Sequence, residues 1–213
     1  MTQGAATKPV VLVHGAWHGA WCWRQVAEGL ERRGHRVETP HLPCDEPGLS
    51  VEDCAAVVGS HPEAVVVGHS LGAQIVSLVD AGVRVYLAGL LPTGPDRSGT
   101  FHPDFGGLLR DELDRSYWPD ADTCAAHMYP DCTRAQADAA FAQLRHQSPL
   151  QPVADTLCEH DIVVVTTKDA AIEPEWQLRQ ARQAGARIVE LAAGHSPLFT
   201  HPAELTELLD GLA

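Results

Sequence analysis

Short apolar segments recur along the chain, and most are followed by a stretch whose apolar residues repeat at helical spacing. Short, continuously apolar segments are typical of strands buried on both faces, and the spaced pattern is typical of amphipathic helices. Alternation of the two predicts an α/β fold, a parallel sheet with helices on both faces. We predict strands near 9–14, 35–41, 63–68, 84–90, 161–167 and 187–191, and helices near 21–33, 51–60, 71–81, 174–185 and 202–212.

The alternation stops between Leu91 and about Leu157, where proline, glycine, aspartate and aromatic residues are frequent and Thr133 to Arg145 has a helical pattern. We interpret 92–157 as a cap inserted into a single core domain formed by 1–91 and 158–213. An insertion this short can build a modest pocket and not a deep tunnel. Its large side chains are candidates for the pocket wall, or else for packing against the sheet: Phe101, Trp118, Met128 and Tyr129.

The pentapeptide Gly68-His69-Ser70-Leu71-Gly72 follows the third predicted strand and leads into a helical pattern. A turn this sharp strains its central residue and leaves no room for side chains at 68 and 72, so both positions require glycine. The turn would lift Ser70 clear of the sheet at the start of the next helix. In this context the motif predicts a nucleophile elbow, although the same string elsewhere would be an ordinary turn.

A serine nucleophile needs a base that accepts its proton and an acid that orients the base. Among twelve histidines we select His195 as the base, because it follows a predicted strand and a glycine near the C-terminus. Asp169 follows the fifth predicted strand and is the preferred acid, because a carboxylate there can reach an imidazole at a neighbouring strand end. Asp169 could instead cap the helix near Pro174, and Asp96, after the fourth predicted strand, is the rival acid.

The first predicted strand ends in a glycine-containing loop, His14 to Trp23. Backbone N–H groups in such a loop can stabilise the oxyanion of an acyl transfer, and we expect the amides of Ala16 and Leu71 to be the donors. The alternative is a simple connector whose tryptophans fill the core. Three neighbouring side chains are further candidates for the substrate pocket: His14, Trp17 and His69.

With these segments identified, the chain resembles the α/β-hydrolase superfamily, and within it the group of plant methylesterases, hydroxynitrile lyases and related bacterial esterases. The resemblance spans nearly the whole chain and rests on His14 to Trp21, Gly68 to Gly72, Asp169 to Gln177, and Gly194 to Ser196 with Pro202 to Leu205. It implies an α/β-hydrolase sheet of about six strands and a cap that covers the site and determines which groups fit.

Within the group that the chain resembles, the residues at two positions distinguish enzymes that hydrolyse esters from those that cleave cyanohydrins. The lyases carry threonine where this chain has Ala16, and lysine where it has Ser196. Because that lysine stabilises the departing cyanide, its absence favours hydrolysis. Ser196 also differs from the bulky apolar residue of the plant esterases, so their substrates are not carried over.

We therefore predict a serine esterase that cleaves a small carboxylic ester, lactone or thioester through an acyl-enzyme on Ser70, with no metal or organic cofactor. One alternative is a non-hydrolytic enzyme on the same scaffold, such as a lyase, an eliminating enzyme or a cyclase in secondary metabolism. The other is a catalytically silent small-molecule-binding protein. The complete set of serine, acid and histidine argues against the second alternative.

Charge and composition limit the kinds of partner that this 213-residue chain can bind, because its formal net charge is −13. Nucleic acid or an anionic membrane requires a cationic face, but only Lys8 and Lys168 are lysines and the arginines are scattered. No apolar run is long enough for a spanning helix and no secretory signal is visible, so we expect a cytoplasmic monomer or homodimer with a small-molecule substrate. The cysteines should be free thiols; Cys124, His127 and Cys132 suggest zinc but lack a second ligand pair.

Overall fold

A parallel sheet forms the centre of the computed structural model, which describes residues 7–92, 99–151 and 157–213. The strands are β1 (Val10–Val13), β2 (Val37–Glu38), β3 (His61–His69), β4 (Ala81–Leu87), β5 (Leu109–Arg110), β6 (Ser116–Tyr117), β7 (Ile162–Thr166) and β8 (Arg187–Leu191). Six of them pair in the order β2-β1-β3-β4-β7-β8, and every pairing in this sheet is parallel. The predicted α/β fold with a parallel sheet of six strands is confirmed.

The helices lie in the segments between the strands and after the last strand. A 3₁₀ turn at Ala20–Trp23 precedes the first of them. The α-helices are α1 (Arg24–Arg32), α2 (Val51–Val58), α3 (Gly72–Val76), α4 (Ala121–Met128), α5 (Arg134–Phe141), α6 (Pro174–Ala184), α7 (Pro197–Thr200) and α8 (Pro202–Asp210). Proline at the start of α6, α7 and α8 suits the first turn, where no intrahelical N–H bond is lost.

Helices cover the sheet on both faces. Along β1, Val11 and Val13 belong to the core that packs against α2, α3 and α6, whereas Val10 and Leu12 belong to the core that packs against α1 and α8. Fully burying such a side chain contributes roughly 1.5–3 kcal/mol to stability. Because successive residues of a strand point to opposite faces, both must be apolar here, which explains the continuous apolar runs in the sequence.

Three elements differ most from their predicted extents. The helix after the elbow ends early, at Val76, because the amides of Leu78 and Val79 make i→i−3 bonds (N···O 3.2 and 3.0 Å) that close its last turn. The chain then enters the sheet, with Ala81 paired to His61, so β4 begins earlier than predicted. Strand β2 keeps only two residues of the predicted segment, since it lies at the sheet edge and pairs with β1 alone.

Residues 99–151 add an antiparallel ribbon of β5 and β6 and the helices α4 and α5. Helix α5 lies within the helical pattern predicted for Thr133 to Arg145 and starts with a capping box between Thr133 and Gln136. A third apolar cluster joins α4 and α5 to the loop after β1 and to Leu71. The division into core and cap stays a prediction. Within the described ranges, no helix combines the length and the apolar character needed to cross a bilayer.

Candidate active site

Ser70 occupies a strained turn between β3 and α3. Its φ of 52° lies in the left-handed region, which non-glycine residues rarely adopt, and its amide donates to the Leu87 carbonyl at 3.0 Å. A Cβ at Gly68 would overlap the Gly72 carbonyl, and one at Gly72 would lie 2.8 Å from the carbonyl oxygens of Val13 and His14. Both glycines therefore allow the close backbone approach that holds Ser70 in this turn.

We predict that Gly68→Ala destabilises the protein by about 2 kcal/mol or more, because the new methyl group meets backbone that cannot move independently. The matched control is Gly106→Ala, since a Cβ at Gly106 has no heavy atom of the described residues within 4 Å. The free energy of unfolding in urea should change by less than about 0.5 kcal/mol in this control. Equal stability of the two variants would contradict the close-approach argument.

Three side chains from different strand ends form a hydrogen-bonded line. The Ser70 hydroxyl lies 3.1 Å from His195 Nε2, and His195 Nδ1 lies 2.9 and 3.0 Å from the two carboxylate oxygens of Asp169. Because the carboxylate only accepts, Nδ1 carries the proton and Nε2 is free to accept from the serine. All three residues are buried. The structure thus brings together the residues selected as nucleophile, base and acid, while the rival Asp96 lies outside the described residues.

The Asp169 carboxylate is held on both oxygens. Oδ1 accepts from the amides of Ala171 and Ile172 at 2.8 and 2.9 Å, and Oδ2 accepts from the Thr166 hydroxyl at 3.0 Å. These bonds are local and follow the end of β7. They orient the carboxylate so that it holds the His195 ring in one tautomer.

His14 holds the peptide unit that carries the Ala16 amide. Its Nε2 accepts from the Leu42 amide at 3.0 Å, so Nδ1 carries the proton and donates to the Gly15 carbonyl at 2.9 Å. That carbonyl belongs to the same rigid peptide as the Ala16 N–H. The His14 side chain therefore fixes the direction in which this amide points.

His18 braces the next peptide of the loop. Its Nδ1 donates to the Ala16 carbonyl at 2.8 Å, and its Nε2 accepts from the Tyr129 hydroxyl at 2.8 Å. Trp17 lies between these residues at a φ of 62°, and its indole donates to Ser116. The loop thus keeps a left-handed residue because hydrogen bonds on either side hold it.

Burial keeps these histidines neutral. Loss of hydration lowers the pKa of His14 to about 3 and of His18 to about 4, and it lowers the pKa of His69 well below the ordinary value, with a smaller effect from the nearby His195. His69 donates through Nε2 to the His195 carbonyl at 2.8 Å, so it supports the backbone of the candidate base.

We predict that the free energy of unfolding falls as the pH is lowered from 7 to 5. His14 and His18 have depressed pKa values when folded, so the unfolded chain binds more protons below the ordinary histidine pKa of 6.5, and stability is lost from there down to about 4 for His18 and about 3 for His14. Each contributes a slope of up to about 1.4 kcal/mol per pH unit. Urea unfolding at pH 7, 6 and 5 measures this slope, and His18→Asn should make it shallower. A free energy of unfolding that does not change between pH 7 and pH 5 would contradict the burial of these two histidines in their neutral form.

Two residues that the sequence analysis did not select make hydrogen bonds to the loops that contain His195 and His18. Asp131 accepts from the amide of Gly194 at 2.8 Å, next to His195. Arg145 donates through its guanidinium to the His18 carbonyl at 2.9 Å and through its amide to the Trp17 carbonyl at 2.8 Å. These contacts join residues at least 63 positions apart, so no local motif could have indicated them.

A cavity of about 270 Å³ opens at Ser70, hereafter the Ser70 cavity. Of the residues selected from the sequence, those that line it are Ala16, Trp17, Leu71, Phe101, Met128 and His195. Its volume is below the usual range of about 300–1,000 Å³ for ligand pockets, which favours a small substrate.

The other selected side chains lie in the surrounding packing and are not part of that lining. His14 and His69 are buried and bond to backbone carbonyls, and Tyr129 bonds to His18. Trp118 packs edge-on against Trp17 at 5.4 Å between ring centres. In the described ranges, no group of three or more histidine, cysteine, aspartate or glutamate side chains is arranged to hold a metal ion.

The parallel sheet, the strained turn at Ser70 and the hydrogen-bonded line from Ser70 to Asp169 are typical of α/β-hydrolases. Comparison with known protein families agrees with this classification. The profile of the Alpha/beta hydrolase family matches residues 10–208, so the chain belongs to that family. Relatives named methylesterases and esterases confirm the predicted resemblance to the methylesterase-like group.

Particular relatives are similar over part of their length. The Carbendazim hydrolyzing esterase of Nocardioides sp. (strain SG-4G) is 33% identical over 105 residues, 40% of this chain and 43% of that protein. Methylesterase 3 of Arabidopsis thaliana is 30% identical over 141 residues, 56% of this chain and 52% of that protein. The match spans about half the length of these two relatives. A pyrethroid hydrolase from Sphingobium faniae JZ-2 has a TM-score of 0.74 at 19% identity over 96% of both chains, which shows the shared fold.

Proposed function

We propose that this chain is a serine hydrolase that cleaves a small carboxylic ester through an acyl-enzyme on Ser70. The observation that carries the proposal is the line from the Ser70 hydroxyl through His195 to Asp169, with bonds of 3.1 and 2.9 Å, at the wall of a cavity. Relatives named esterases and methylesterases support ester hydrolysis in general.

The reaction proceeds in two halves. His195 Nε2 takes the hydroxyl proton as Ser70 Oγ attacks the ester carbonyl carbon, and the same imidazolium then protonates the departing alkoxide. Water repeats the attack on the acyl-enzyme with His195 as its base, which releases the acid and restores the serine. Asp169 holds the imidazole in the required tautomer and stabilises its cation.

We assign the oxyanion donors to the amides of Ala16 and Leu71. Both residues line the Ser70 cavity, and the His14 bond to the Gly15 carbonyl restrains the peptide that presents the Ala16 amide. A preorganised donor of this kind is worth about 2.7–4 kcal/mol in the transition state. No metal or organic cofactor takes part in these steps.

A fluorophosphonate probe tests the proposal, because it reacts with an activated serine. We expect mass spectrometry to find the probe on Ser70, and p-nitrophenyl acetate to be hydrolysed with one ¹⁸O atom in the acetate when the solvent is H₂¹⁸O. Cleavage of a substrate without solvent oxygen in the product would indicate the non-hydrolytic alternative. Absence of both labelling and turnover would support the binding-protein alternative.

A further inference from the structure

Two residues that line the Ser70 cavity each carry a buried polar atom with no partner among the described residues. These atoms are the amide oxygen Oε1 of Gln147 and the hydroxyl of Ser148. Gln147 is 6% exposed and Ser148 is 1% exposed. An unpaired buried polar group costs roughly 1–3 kcal/mol, so two adjacent ones require an explanation.

The backbone holds this pair rigidly. The amides and carbonyls of Ser116 and Gln147 exchange two hydrogen bonds of 2.8 Å, and the Ser148 amide donates to the Cys44 carbonyl at 2.7 Å. Gln147 also donates through Nε2 to the Ser148 carbonyl at 2.8 Å. Because a carbonyl only accepts, this bond sets the amide orientation and makes Oε1 the unpaired acceptor.

The remaining polar groups of the wall are already engaged. The Ser116 hydroxyl accepts from the Trp17 indole and donates to the Gln147 carbonyl. Arg110 forms an ion pair with Asp114, to whose backbone carbonyl and carboxylate it donates at 2.8 and 2.9 Å. Among the described lining residues there is no carboxylate.

These features decide the chemical class of the complementary group. A substrate carboxylate would face the lone pairs of Gln147 Oε1 and find no unpaired cation in the described lining, and a substrate ammonium would find no carboxylate there to neutralise it. A neutral N–H or O–H can donate to Oε1, while the Ser148 hydroxyl can either accept or donate. The lining also contains apolar side chains, among them Phe105 and Met128.

We propose that Gln147 and Ser148 form a subsite that selects esters carrying a neutral hydrogen-bond donor, such as an amide N–H or a hydroxyl, beside an apolar group. The inference deepens the proposed ester hydrolysis and rests on it. A site built to bond a substrate donor discriminates against the analogue that lacks it, because its own buried groups are then left unpaired.

Matched substrate pairs test the subsite. Methyl N-acetylglycinate and methyl 4-oxopentanoate differ only by NH against CH₂ in the acyl part; 2-acetamidoethyl acetate and 4-oxopentyl acetate differ in the same way in the alcohol part. The readout is the ratio of kcat/KM within a pair, compared between the wild type and variants so that intrinsic reactivity cancels. In at least one pair, Gln147→Met and Ser148→Ala should each lower the preference for the donor about tenfold.

Leu108→Met is the matched control, because it changes an apolar lining residue and should affect both members of a pair equally. A donor preference that survives both Gln147→Met and Ser148→Ala in both pairs would overturn the subsite while leaving ester hydrolysis intact.

Binding separates this failure from failure of the proposed function. Calorimetry with Ser70→Ala, which reports affinity without turnover, should show the donor member of a pair binding about tenfold more tightly than its partner. If the wild type hydrolyses no ester and Ser70 takes no probe, the hydrolase proposal fails and these affinities alone decide the subsite. Equal affinities in both pairs would then overturn it.

Discussion

Ser70→Ala should lower kcat for p-nitrophenyl acetate and butyrate by a factor on the order of 10⁶, to the rate supported by binding and the oxyanion donors. The reason is that the variant has no oxygen to form the acyl-enzyme, although His195 and Asp169 keep their hydrogen bonds to each other. Steady-state kinetics and loss of fluorophosphonate labelling measure the effect.

The fold should survive this change, since the Ser70 hydroxyl has one hydrogen-bond partner among the described residues, His195. Ser77→Ala is the matched control. Ser77 follows α3 directly, its buried hydroxyl donates to the Gln74 carbonyl, and it does not line the Ser70 cavity. Circular dichroism should show folded protein for both variants, and the control should retain turnover. A Ser70→Ala enzyme of near wild-type rate would exclude Ser70 as the nucleophile.

Asp169→Asn should lower kcat by about 10⁴ because it changes the tautomer of His195. Oδ1 of Asp169 accepts from the amides of Ala171 and Ile172, so the oxygen of the new amide must stay at that position. Its NH₂ group then takes the place of Oδ2, which lies 2.9 Å from His195 Nδ1. Two N–H groups cannot face each other there, so the imidazole proton moves to Nε2 and the base can no longer accept from Ser70.

Asp96→Asn is the comparison for this variant, because Asp96 is the other acid that the sequence offers. We expect it to retain turnover within about tenfold of the wild type, while Asp169→Asn remains labelled by the fluorophosphonate only slowly. Both variants should be assayed at several pH values after their folding has been checked. Severe loss in Asp96→Asn with little change in Asp169→Asn would move the acid role to Asp96.

The sequence alone determined the parallel sheet and the order of its candidate catalytic residues. Strand β8 has the predicted limits, and the elbow lies where Gly68 and Gly72 require it. These features can be predicted from the sequence because their causes are local. Burial on both faces makes a strand continuously apolar, and close approach of two backbone segments excludes every residue except glycine. The Asp169 loop is also local, since its carboxylate binds amides two and three residues away.

Only the tertiary structure decided which side chains surround the serine. Helix α3 ends at Val76, where i→i−3 bonds close its last turn before the chain enters the sheet, although apolar residues continue beyond it. Asp131 and Arg145 support the loops that contain His195 and His18 from 63 and 127 residues away, and Gln147 reaches the cavity wall through its pairing with Ser116. Such contacts depend on how the segment after β4 folds back over the sheet, and no periodicity in the sequence encodes that path.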